Sequence, residues 1–176
     1  MIINLKQTNV KKLALAALLI AVAVVGSLFS FPIFQSRCAP VQHMVNILCA
    51  VFLGPSYGLA AALIASLLRN LLSLGSILAF PGSMFGALLC GLVFKYTKNI
   101  WATCLGEVFG TAILGGLSAY PIAIAFMGKA AGDIAFYAYV IPFLVSTAVG
   151  ALLSALIITT LQRSGILNTI QSKLGD

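Results

Sequence analysis

The chain has 176 residues, of which 61% are hydrophobic and 7% charged, and its net charge is +7. A soluble domain carries about 25% charged residues, so this composition excludes a soluble fold and assigns most of the apolar surface to lipid. The basic residues sit at the ends of apolar segments, where they orient a chain in a membrane, and nucleic-acid binding is excluded with the soluble fold.

The apolar segments run continuously rather than alternating with period two, which predicts helices and not a barrel. The length suits a single membrane domain, 1–176, of about six short helices at about 20 residues each. Residues 1–12 are a polar lead with Lys6, Lys11 and Lys12. The first predicted helix, 13–31, has a signal-like pattern but no A-x-A-like site; it reads as a retained span. Ala14, Ala17 and Ala21 form a small-residue stripe on it, the mark of a helix-packing face in lipid. A first external loop, PIFQSRCAP (32–40), leads to a short second helix, 41–53, that opens with Gln42, His43 and Asn46 on one side. The third helix, 57–72, ends in Arg69 and Asn70. An apolar loop, 73–80, is expected to fold onto the protein, and the fourth helix, 82–94, begins with Ser83 and Met84.

The fifth helix, 100–120, contains the chain's most informative residue. Glu107 is one of three acids and the only one inside an apolar segment. An ionisable group there costs several kcal/mol unless it turns inward to a partner, about 3 kcal/mol on insertion scales. Glu107, Thr111, Leu114 and Ser118 share one helical face, with Gly106, Gly110, Gly115 and Gly116 beside it. The alternative is a purely structural interhelical hydrogen bond. Residues 122–136 read as a second external loop whose apolar start extends or caps helix five. The sixth helix, 137–161, begins with Tyr137, Tyr139 and Ser146, and 163–176 is a polar tail.

With six spans and both termini cytoplasmic, Lys6, Lys11, Lys12, Lys95, Lys98, Arg163 and Lys173 lie inside and Arg37, Arg69 and Lys129 outside, in accord with the positive-inside rule. Polar residues of five helices then converge on the outer level, with Glu107 deeper. A pocket of that composition suits a small molecule. The tyrosines also fit an interfacial belt, and Arg69 fits a snorkelling cation.

The four cysteines, Cys38, Cys49, Cys90 and Cys104, form no CxxC, and there is one histidine, so neither a metal site nor a disulfide is expected. Cys38 lies in a loop as a free thiol. The sequence contains no GxxxxGKS/T, HExxH or GxSxG motif. No catalytic residue, metal or cofactor is assigned, and the chain is not expected to be an enzyme.

Four segments, PVQHMVNILCAVFLGP (40–55), SLLRNLL (66–72), LAFPGSMFGALLCGL (78–92) and GEVFGTAILGGLSAYP (106–121), resemble the ThiW family in order and content. The resemblance implies the six-helix fold of the substrate-binding S components of energy-coupling factor (ECF) transporters in the bacterial cytoplasmic membrane. It implies hydroxyethylthiazole, the thiazole precursor of thiamine, as substrate, captured from the outer side. It also implies partners: a transmembrane coupling subunit and two ATPase subunits that use the ATP. Ala14, Ala17 and Ala21 match the alanine-rich motif that contacts this module. Residues that lie in the matching motifs or on the same outer level become the expected substrate contacts. Gln42, His43 and Asn46 would bind the thiazole nitrogen or hydroxyl. Arg69 and Asn70 would hold a loop over the site, Ser83 and Met84 would line its wall, Tyr137 and Tyr139 would stack on the ring, and Glu107 would form the floor. Thiamine or a pyrimidine precursor stays open as the ligand, as does a membrane enzyme or assembly factor without transport.

Overall fold

The computed structural model describes residues 2–34, 36–130 and 132–175, with side chains from residue 7 onward. Lys6 of the basic lead therefore lies outside the described side chains. The helices are α1 (Ile2–Gly26), α2 (Pro40–Phe52), α3 (Pro55–Leu71), α4 (Ala79–Thr97), α5 (Ile100–Val108), α6 (Gly116–Met127), α7 (Val140–Arg163) and α8 (Ile166–Leu174). A π-helical turn, Phe109–Gly115, joins α5 to α6 in one continuous rod. Gln7–Phe29, Ala79–Thr97, Ile100–Met127 and Val140–Arg163 are long and apolar enough to cross a membrane.

The organising helix is α2. At 1.5 Å per residue its 13 residues reach about 20 Å, short of the ~30 Å hydrocarbon core. It is a buried core helix: 11 of its residues are buried, among α1, α3, α4 and α7. Such burial requires tight neighbours. A Cβ on Gly150 of α7 would meet Pro40 O at 2.5 Å and His43 Cβ at 2.7 Å, so the missing side chain lets α7 lie against the start of α2. Ser154 Oγ then donates to Met44 O at 3.2 Å.

Two departures from the sequence reading, and one helix extension that it allowed, bear on function. The first loop is not irregular. Phe31–Ile33 (β1) and Ser36–Cys38 (β2) pair antiparallel, Pro32 opposite Arg37. The fifth helix continues past Pro121 to Met127. A proline in a membrane helix is tolerated where neighbours re-satisfy the freed carbonyl, and here it follows the wider π turn. The polar tail is helical: α8 buries Leu167 and Leu174, and Gln171 Nε2 donates to Val51 O at 3.2 Å. At this end Lys11 Nζ donates to Lys173 O at 3.5 Å, while Arg37 and Arg69 lie at the opposite end of the bundle, beside the hairpin.

Candidate functional site

The site is built where α2, α3, α4, the π turn and α7 meet beneath the β1–β2 hairpin. It is a narrow cavity of about 30 Å³, enough for one or two waters. Its polar lining includes Ser36, Arg37, Gln42, His43, Arg69 and Ser83, with Ser76, Thr111 and Ser146, and Leu78 and Phe143 supply apolar wall.

The floor is a hydrogen-bonded carboxylate. Glu107 is fully buried, and its Oε1 faces His43 Nδ1 at 2.9 Å, Asn46 Nδ2 at 3.0 Å and Thr111 Oγ1 at 3.1 Å. Two residues of a short helix and one of the π turn thus share one oxygen. Neighbouring Cys90 directs its thiol to Ala87 O at 3.4 Å and Asn46 O at 3.7 Å, and Glu107 Oε2 makes no hydrogen bond among the described residues. The packing that admits this group is glycine on glycine. A Cβ on Gly86 would fall within 2.6 Å of Glu107 Oε1, one on Gly110 within 2.6 Å of Phe85 O, and one on Gly115 within 2.6 Å of Gly82 Cα. The cluster of glycines in the fifth helix therefore serves its close crossing with α4, and a π turn in such a place is a frequent companion of functional sites.

Above the floor a chain of donors rises to the mouth. Asn46 Nδ2 also donates to Ser83 O at 3.2 Å, Gln42 Nε2 donates to Asn46 Oδ1 at 3.2 Å, and Arg69 Nη1 donates to Gln42 Oε1 at 3.4 Å. Ser83 Oγ meets Ser66 Oγ at 2.8 Å, tying α4 to α3. Asn70 does not line the cavity. It donates to Ser66 O at 2.8 Å and Ser76 O at 3.0 Å, and so folds the α3–α4 loop back onto Arg69.

Gln42, His43, Arg69 and Ser83 line the cavity, and Asn46 and Glu107 lie directly beneath it. Met84, Tyr137 and Tyr139 do not. Met84 follows Ser83 by one residue, a rotation of about 100° on a helix, so it is turned away and half-buried. Tyr137 is 54% exposed and stacks edge-to-face on Phe136. Tyr139 is buried behind the wall, its ring 6.4 Å from that of Phe143, and Phe143 rather than either tyrosine lines the cavity. Sequence reasoning also passed over Arg37, Ser36 and Ser76. Phe143 had a signal: it precedes Ser146 by three residues and Gly150 by seven, on the face of α7 that packs on α2.

The hairpin is clamped to α7. Ala39 N donates to Ser146 Oγ at 2.9 Å, and the Cys38 thiol donates to Pro142 O at 3.2 Å. Cys38, expected in an open loop, is fully buried, and burial pushes its thiol above the usual range, against a smaller opposing hydrogen bond at Ser146. A thiol so placed reacts slowly. In folded protein at pH 7 we expect a maleimide to leave Cys38 unlabelled over a time that labels it fully after denaturation. Labelling at the rate of an exposed thiol would show that the hairpin stands off α7.

A helical membrane protein that encloses a small polar cavity near one end of its bundle is built as a binding or transport protein for a small molecule. Residues 13–164 match the family model described as thiamine-precursor transporter protein (ThiW), and the chain belongs to that family. No curated protein matches the chain.

Proposed function

We propose that this transporter is the substrate-capture subunit of an ATP-driven ECF importer, and that it takes the thiazole precursor of thiamine from the outer face of the bacterial cytoplasmic membrane. The observation that carries the reading is the capped polar cavity above His43 and Glu107. Phe143 and Leu78 would pack against the heterocycle, and His43, Gln42, Ser83 and Ser146 would bond its nitrogen and hydroxyl. Asn46 and Glu107 hold His43 in place rather than touch the ligand. The cavity as it stands holds one or two waters, so loading a thiazole would require the hairpin and the α3–α4 loop to part.

Two observations support the remaining assignments. The basic residues gathered where α1, α8 and the α4–α5 turn meet favour cytoplasmic termini, with α2 and α3 completing a six-helix bundle. Ala14, Ala17 and Ala21 are exposed on the face of α1 turned away from the bundle, where a transmembrane coupling subunit would dock. Two ATPase subunits would supply the energy.

The test is calorimetric titration of the purified, detergent-solubilised protein with hydroxyethylthiazole, thiamine and the hydroxymethyl pyrimidine precursor. Selective binding of the thiazole is expected, with His43→Ala weakening it about fivefold or more, the effect of losing a hydrogen bond worth about 1 kcal/mol. Selective binding of thiamine or the pyrimidine would replace the substrate. Failure of a coupling module to co-purify would remove the ECF assignment.

A further inference from the structure

The site carries more positive charge than a neutral thiazole alcohol needs. Arg69 is 3% exposed and lines the cavity, and its Nε has no hydrogen-bond partner among the described residues. Among the described residues its one side-chain hydrogen bond is the long one to Gln42 Oε1 at 3.4 Å. Arg37, on β2, lines the same cavity from the mouth, so both guanidiniums stand around one small space. Among the described residues neither forms an ion pair; the single pair is His43–Glu107. Wherever the proton of that pair resides, the two arginines leave the site with a net charge of one or two positive units. Glu107 is committed to His43, Asn46 and Thr111 and stands below them. It does not neutralise the mouth.

A buried guanidinium without a counter-charge is stable only where something supplies one. The rigid fork of arginine fits phosphate and carboxylate oxygens. Around it stand further neutral donors: Ser36, Ser76 and Ser146 line the same upper part of the cavity. Arg37 rides on the hairpin, so an anion drawn to Arg69 would also draw the hairpin down.

We propose that the substrate presents an anionic oxygen group, a phosphate monoester or a carboxylate on the precursor's side arm, to Arg37 and Arg69 at the cavity mouth. This rests on the reading of the cavity as the thiamine-precursor site and narrows its substrate class. A fixed cation such as thiamine is disfavoured by the same charges.

The experiment compares ligands on the purified full chain by calorimetry: hydroxyethylthiazole, its phosphate monoester, the analogue with a carboxylate in place of the hydroxyl, hydroxymethyl pyrimidine and its phosphate monoester. At least one anionic thiazole is expected to bind roughly tenfold or more tightly than the alcohol, with a gap that narrows as salt rises. Arg69→Gln should weaken the anion by roughly 30-fold or more, as loss of one partner of a buried charge pair does, and weaken the alcohol by much less, since Arg69 reaches that ligand only through Gln42. Arg37→Gln, at an exposed position, should act in the same direction without risk to the fold. Equal or tighter binding of the alcohol, or anion binding unchanged in Arg37→Gln and in folded Arg69→Gln, overturns the proposal while the thiazole reading stands. Preference for the pyrimidine phosphate over every thiazole removes the thiazole reading and supports the anion site. Binding of no compound by folded protein overturns both.

Discussion

Glu107→Ala is expected to lower the melting temperature of the solubilised protein by about 5–15 °C, from a loss of about 2–4 kcal/mol. The magnitude follows from what is left behind. His43, Asn46 and Thr111 all aim at Glu107 Oε1, at 2.9–3.1 Å, in a fully buried place. Polar contacts between membrane helices average about 0.6 kcal/mol each, which would make three of them a modest loss. Removing one partner of a buried charged pair costs more, about 3–5 kcal/mol in soluble proteins, because the other groups stay desolvated and unpaired. The expected value lies between these two figures. Glu107→Gln keeps a carbonyl oxygen for Asn46 and Thr111 and loses only the charge opposite His43, so its fall should be less than half as large. The four cysteines are all buried, so a thiol-reactive dye reports unfolding directly. A Glu107→Ala protein that melts within a degree of wild type would show that the cluster contributes nothing to the fold.

Why this cluster was partly legible, and the rest of the site less so, is a matter of helical phase. A lone acid in an apolar run announces itself, because its cost in lipid demands a partner. Gln42, His43 and Asn46 lie within one turn of one short helix, so their common direction follows from spacing alone. What spacing does not give is the rotation of that face about the helix axis relative to its neighbours. The sequence assigns Ser83 and Met84 together, yet the rotation of about 100° between them turns the serine to the cavity and the methionine away from it. Tyr137 and Tyr139 precede α7, where the path of a loop decides direction, and one turns outward while the other packs behind Phe143. The charge count places Arg37 outside but not in the site, because a three-residue strand leaves almost no pattern; pairing with β1 is what brings it over the cavity. The helical tail is a different case. Ile166, Leu167, Ile170 and Leu174 already stand at helical spacing, and the polar residues between them obscured it.

Gly86→Ala is expected to weaken ligand binding about tenfold or more and to cost about 1–3 kcal/mol of stability, the range for overpacking a filled core. Ordinarily glycine to alanine in a helix interior stabilises by about 1 kcal/mol, so the sign here rests on geometry. The new Cβ would sit 2.6 Å from Glu107 Oε1 and 2.7 Å from its Cδ, closer still to Thr111 Oγ1. Relief by moving α4 is blocked: its backbone already touches the π turn through Gly82 and Gly115 and through Phe85 and Gly110. Glu107 must give way instead, and with it the orientation of His43. A double-mutant cycle isolates this. If the clash acts through the carboxylate, adding Gly86→Ala to Glu107→Ala should cost at least 0.5 kcal/mol less than adding it to wild type, a coupling within the usual range of about 0.5–3 kcal/mol for residues in contact. Gly132→Ala, at a position with no atom within 4 Å of the added carbon, is the neutral control. Strict additivity of the two changes would mean that Gly86 is needed only for the approach of the helices, and that the seat of Glu107 is set by the π turn alone.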